Sequence, residues 1–123
     1  MFEAITHSKL KDFISSGDKY TFIVKDEEVG KAIGKQGANV RLLEQRTHKK
    51  IRIVGFHPEL FQFIQNVIYP SKVKDIKDQE GIITLEAVDS KNRGYIIGRS
   101  ATTLRESESI IKRHFPIKEL KVM

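Results

Sequence analysis

Apolar side chains between residues 9 and 24 fall into two short runs parted by Ser15-Ser16-Gly17-Asp18, and the second run, Tyr20-Thr21-Phe22-Ile23-Val24, is built of β-branched and aromatic types. The pattern predicts strands over 9–14 and 19–24 with a turn between them. The period then changes. Asp26 reads as an N-cap, Glu27 and Glu28 suit a first helical turn, and the helix is expected to end near Ile33. A second helix is expected from about Ala38 to Thr47. Ile51-Arg52-Ile53-Val54 alternates with period two and predicts a third strand.

The same plan recurs. Leu10-Lys11-Asp12-Phe13 is matched by Val73-Lys74-Asp75-Ile76 at an offset of 63, and Gly30-Lys31-Ala32-Ile33-Gly34 by Gly94-Tyr95-Ile96-Ile97-Gly98 at 64. At the second offset Val40 meets Leu104, Arg41 meets Arg105 and Glu44 meets Glu108. Shared order makes chance a poor account of these pairs. The second copy predicts strands over 73–76 and 82–88 around Asp78-Gln79-Glu80-Gly81, a helix capped by Asp89 or Ser90, helices on both sides of Gly98, and a last strand over 119–122. One element stands outside the repeat: Pro58 to Tyr69, with Pro58 near the first helical position, Pro70 as the stop, and a broad apolar stripe of Leu60, Phe61, Ile64, Val67 and Ile68. It is expected to pack between the lobes or onto the second sheet.

Gly34-Lys35-Gln36-Gly37 joins two helices with almost no linker. Glycine at both ends opens backbone angles closed to other residues and lets another backbone come close. The bend delivers the chain into a helix start, where free N–H groups and the helix dipole favour an anion, and Lys35 adds a full positive charge. A phosphodiester suits such a site. Ile33, Val40 and Ile53 are the expected apolar wall of an adjoining groove for bases.

Composition agrees. Lys and Arg number 22 against 16 acids, giving a formal charge of +6 and a pI near 9.6, as for a nucleic-acid binder or simply a basic protein. No cysteine is present, so disulfides and thiolate metal sites are excluded. The start carries no basic, apolar leader and no stretch approaches membrane-spanning length, so a mature cytosolic chain is expected, with no membrane partner.

Ile33-Gly34-Lys35-Gln36-Gly37-Ala38-Asn39-Val40 resembles the KH signature Ile-Gly-x-x-Gly-x-x-Ile, and Ile97-Gly98-Arg99-Ser100-Ala101-Thr102-Thr103-Leu104 is a weaker likeness. Two strands before the helix pair and one after look like the prokaryotic, type II, KH arrangement. Two such units in close tandem resemble the KH pair of the NusA transcription factors, and most of all the small stand-alone archaeal NusA-like proteins. Gly34 to Arg41 is similar to that family's first loop and helix. The resemblance implies an α+β fold of two tandem type II KH lobes, 1–56 (with a truncated N-terminal helix) and 57–123, each a three-stranded mixed sheet with helices on one face. It implies a single-stranded RNA binder acting in transcription termination, antitermination or elongation, with RNA polymerase as a protein partner. The polymerase-binding and S1-like modules of bacterial NusA proteins are not expected in so short a chain.

The residues carried over to RNA are Gly34, Lys35, Gln36, Gly37, Asn39 and Arg41, with Ile33, Val40 and Ile53 beside them. In the second loop they are Gly98, Arg99, Ser100, Ala101 and Arg105. Ala101 stands where the closing glycine belongs, and its Cβ disfavours left-handed angles. A KH loop typically clamps about four nucleotides.

Other readings are weaker. Walker-type spacing would need glycine at 29 and a hydroxyl at 36, where the sequence has Val29 and Gln36. His7, His48, His57 and His114 show no ligand spacing, and no catalytic constellation stands out, so neither a metal, a cofactor nor an enzyme is expected. Lys49-Lys50, Lys72 and Lys74 extend a phosphate track or form a solvated basic face. The alternatives to transcription are a KH-fold adaptor that docks proteins through a partly exposed helix around Phe61 and Phe63, and an RNA-binding factor in translation or RNA processing.

Overall fold

A computed structural model describes residues 1–123. The chain is α+β and divides into two compact units, Met1–His57 and Pro58–Met123. The first unit runs α1 (Phe2–Thr6), β1 (Asp12–Ser16), β2 (Lys19–Lys25), a 3-10 turn (Asp26–Glu28), α2 (Val29–Ile33), a second 3-10 turn (Lys35–Gly37), α3 (Ala38–Thr47) and β3 (Lys50–Phe56). The second runs α4 (Leu60–Ile68), β4 (Val73–Gln79), β5 (Ile82–Ala87), α5 (Ser90–Ile97), a 3-10 turn (Arg99–Ala101), α6 (Thr102–Lys112) and β6 (Glu119–Val122).

Each unit holds one mixed sheet, in the orders β1-β2-β3 and β4-β5-β6. The first pair of strands is antiparallel, the second parallel. The antiparallel pairs close tightly: Ser16 faces Lys19, and Gln79 faces Ile82. Glu80 and Gly81 both have positive φ, the pattern of a type I′ turn. The turns are therefore shorter than the four-residue segments the sequence predicts, because strand pairing reaches right up to the two central residues.

In the first unit Phe22 and Val24 of β2, Ala32 of α2, Leu43 of α3 and Phe2 of α1 form the buried cluster. Short α1 is held there by ring stacking of Phe2 on Phe22, centroids 4.4 Å apart. In the second, Phe63, Ile64 and Val67 of α4, Ile83 and Leu85 of β5, Ile96 of α5, Ile111 of α6 and Leu120 of β6 are fully buried. Burial of such side chains contributes roughly 1.5–3 kcal/mol each.

Several boundaries move for local reasons. The first strand begins at Asp12 rather than 9: the Leu10 amide is taken by Glu3 Oε2 of α1 at 2.7 Å, and the Lys11 amide is the first to reach β2, donating to Ile23 O at 2.8 Å. Asp26 does not occupy the N-cap position of α2, which is Glu28; it lies inside a 3-10 turn that leads into the helix. α4 starts at Leu60, two residues after Pro58, because the Glu59 carboxylate accepts from the Phe61 and Gln62 amides at 3.2 and 2.7 Å and is the N-cap. Asp89 caps α5 as expected, accepting from the Asn92 amide at 2.7 Å. α4 packs on α6, with Phe63 against the His114 and Phe115 rings. Of the two aromatics on which an adaptor reading of this helix rests, Phe63 is fully buried and Phe61 half-buried.

A repeated device joins the last helix of each unit to the last strand. Glu44 Oε2 of α3 accepts from the Ile51 amide at 3.4 Å, and Glu108 Oε2 of α6 from the Leu120 amide at 2.8 Å. Glu108 also meets Arg105 at 2.7 Å and Lys112 at 3.7 Å. Burial, the largest single influence, pushes the Glu108 pKa up, but the Leu120 amide, Arg105 and Lys112 outweigh it and hold the carboxyl below its ordinary value. A carboxyl lowered on folding contributes stability above its unfolded pKa and loses it as pH falls through the folded one. Glu108→Gln should therefore cost about 1–2 kcal/mol at neutral pH, and less as the solution is acidified. Urea unfolding of both proteins at neutral and acidic pH measures this, and a deficit that does not change with pH would contradict it.

Candidate nucleic-acid interface

α2 ends at Ile33 and the chain bends at once. Gly34 adopts φ 81°, ψ 167°, Gln36 φ 55°, ψ 30° and Gly37 φ 76°, ψ 18°, before Ala38 enters α3 at φ −58°, ψ −41°. Lys35 and Gln36 are exposed, and Gly34 and Gly37 are half-buried. The loop is thus open to solvent. The second loop repeats the backbone: Gly98 φ 72°, ψ −177°, Ser100 φ 53°, ψ 34° and Ala101 φ 62°, ψ 17°. The Cβ of Ala101 did not prevent the left-handed angle expected of a glycine. Its cost, about 1–2 kcal/mol, is carried by the surrounding packing.

What holds this shape was not visible in the sequence. The Asn39 side chain lies under Gly34, where an added Cβ would sit 2.8 Å from its Cγ and Nδ2, and Nδ2 donates to the Lys31 carbonyl at 3.2 Å. Thr103, at the matching position, lies under Gly98 in the same way. The first glycine of each loop therefore makes room for a brace from the following helix. Arg41 adds another, since its Nη1 donates to the Gln36 carbonyl at the loop tip. Arg105 instead pairs with Glu108. Pairs at an offset of 64 were the available signal, but their contacts were not.

The free amides expected at the helix entry are fewer than supposed. The Gly37 N–H donates to Gly34 O at 3.1 Å and the Ala38 N–H to Lys35 O. Ile33, Val40 and Ile53 are half-buried on α2, α3 and β3, three elements in mutual contact, and Ile53 packs against the first unit's core. Arg99 and Ser100 stand exposed at the second loop, as Lys35 and Gln36 do at the first. Lys49 lies near Gly17 O at 3.4 Å and 5.9 Å from the Tyr20 ring centre, and Lys50 is exposed. His7 and His48 end α1 and α3 in left-handed geometry.

Helix, glycine bend and helix on a three-stranded mixed sheet make the first unit a KH domain, and residues 9–57 match the family described as the NusA-like second KH domain. The match is to the family's second domain, although the Gly34–Arg41 motif had suggested the first. Two curated relatives, both named "Probable transcription termination protein NusA", are 30% identical. The one from Methanocaldococcus jannaschii aligns over 99% of this chain and 68% of its own, and the one from Methanococcus vannielii over 100% and 73%. The solved crystal structure of APE1850 shares the fold across 99% of this chain and 92% of its own, with a TM-score of 0.81 at 20% identity. The chain belongs to the archaeal NusA-like family of KH proteins.

Proposed function

We propose that the chain binds single-stranded RNA and acts on nascent transcripts in termination, antitermination or elongation, the process in which its relatives are named. The carrying observation is the exposed bend at Gly34–Gly37, with Lys35 at its tip and its backbone repeated at Gly98–Ala101 beside Arg99. The units are read as two tandem type II KH lobes, 1–56 and 57–123.

In the first lobe, the ligand phosphates meet Lys35 and the tip amides of Lys35 and Gln36, while Gly34 and Gly37 let the sugar-phosphate spine come close. Asn39 and Arg41 act chiefly by holding the tip, and Arg41 keeps further donors for the ligand. Ile33, Val40 and Ile53 offer half-buried apolar surface to bases. The second loop binds the same way through Arg99 and Ser100, with Arg105 drawn toward Glu108. The role implies a cytoplasmic setting, RNA polymerase as a partner, and no catalysis. Burial of Phe63 weighs against an adaptor that docks through α4.

A titration of the intact chain with short RNA across a salt series tests the reading. Neutralising about four phosphates on a single strand gives log K against log salt a slope near −3. A flat response would remove the phosphate-led mode.

A further inference from the structure

The Pro58–Met123 unit holds an open cleft of about 400 Å³ that neither glycine loop contributes to, lined on one side by α4 and on the other by residues 69–73 and Val88. Its shape is fixed by hydrogen bonds: Ser71 N–H to Ile68 O at 2.9 Å, Val88 N–H to Lys72 O at 3.3 Å, and Lys72 N–H to Asn92 Oδ1 at 2.8 Å. The lining is unusual in its chemistry. It contains no carboxylate and no histidine, but three side-chain amides, one cation, Lys72, and Tyr69, which is 75% exposed.

The geometry points to a pocket for one unpaired nucleobase of the RNA strand, with the base stacked on Tyr69, its edge against Gln65 and its phosphate at Lys72. An aromatic face is a sequence-tolerant platform for a base. A primary amide both donates and accepts, so it can satisfy a base edge of either polarity. A shallow cleft with one wall open suits a splayed base still joined to its neighbours.

The path to the cleft supports a strand rather than a peptide. Asn92, which pins Lys72, sits in the first turn of α5, and the other end of α5 is the Gly98 loop. Eight helical residues put the two ends about 12 Å apart. Along that length α5 carries no acidic residue, and it exposes Lys91, Arg93 and Tyr95, with Lys91 Nζ 6.0 Å from the Tyr95 ring centre. The acid at the start of α5, Asp89, accepts from the Asn92 amide, and Glu86 of β5 is paired with Lys74.

The inference rests on the RNA-binding reading, and the test separates the two. Intact chain, Tyr69→Ala, Tyr69→Phe and Gln65→Ala are titrated with an RNA of about four nucleotides, enough for a loop alone, and with a longer one that spans loop and cleft. Tyr69→Ala should weaken the longer RNA about tenfold or more, from the lost stack, and leave the short one unchanged. Tyr69→Phe, which keeps the ring, should restore the longer RNA's affinity. Gln65→Ala should weaken the longer RNA by a smaller factor. Side-chain amide resonances of Gln65 should shift with the longer RNA only. Loss of both RNAs alike, no loss with either, or Gln65 signals that answer to a polymerase-derived peptide and not to RNA, would overturn the pocket. If no RNA binds the parent chain, it is the RNA reading itself that has failed.

Discussion

Replacing Lys35 and Gln36 together with aspartate should weaken RNA binding about a hundredfold and leave the fold intact. Both side chains are exposed and neither belongs to the core, so no packing is lost. Position 36 has φ 55°, a left-handed conformation in which aspartate is better tolerated than most residues. The double substitution changes the tip by three units of charge. At about 4 Å in water each unit opposite a phosphate is worth about 1 kcal/mol, so the loss is about 3 kcal/mol, or about a hundredfold in affinity. Filter binding of the intact variant, with its circular dichroism and melting compared to the parent, measures both halves of the statement. A variant that binds RNA as the parent does would dispose of the proposed clamp.

Gly34→Ala should unfold the first unit far more readily than Gly37→Ala, although both glycines belong to one motif. At φ 81°, ψ 167° Gly34 occupies a region essentially reserved for glycine. An added Cβ there would also meet Asn39 at 2.8 Å and its backbone nitrogen at 3.0 Å. Strain and crowding together give a cost of about 3 kcal/mol. Gly37 is left-handed at φ 76°, ψ 18°, and its added Cβ meets only the far end of the Arg41 side chain at 3.4 Å, an ordinary contact. The cost there is about 1 kcal/mol. Ala101 already occupies the matching site in the second loop with the same backbone. Denaturant midpoints of the two variants decide the matter, and equal losses would refute the brace from Asn39.

The sequence was most legible where local chemistry decides the outcome. α3 spans Ala38–Thr47 as its pattern predicts, Asp89 caps α5, and β6 covers Glu119–Val122. Signals that compete locally were misjudged. Pro58 looked like a helix start, but the neighbouring Glu59 carboxylate was the better acceptor for the first amides. What covers Phe63 was not legible either: the His114 and Phe115 rings that meet it lie far along the chain, in a contact no local window contains. At the site, the glycines, Lys35 and the repeat could be read directly. The side chains that set the bend could not, because the use of Asn39 and Arg41 depends on the angle at which α3 leaves the loop. The Gly37 and Ala38 amides are committed internally, which no spacing in the sequence reveals.

The parallel pairing of β2 with β3 has a consequence for how such a surface persists. Parallel neighbours cannot be joined by a tight hairpin; the chain has to climb back along the sheet before the third strand can be laid down. α2, the bend and α3 are that return route. Drift can exchange the groups at its apex, as Gln36-Gly37 and Ser100-Ala101 illustrate, but excision would strand β3 with no way to its place. A copy of this unit that completes its sheet must keep some crossover here, and in both units that crossover carries the bend.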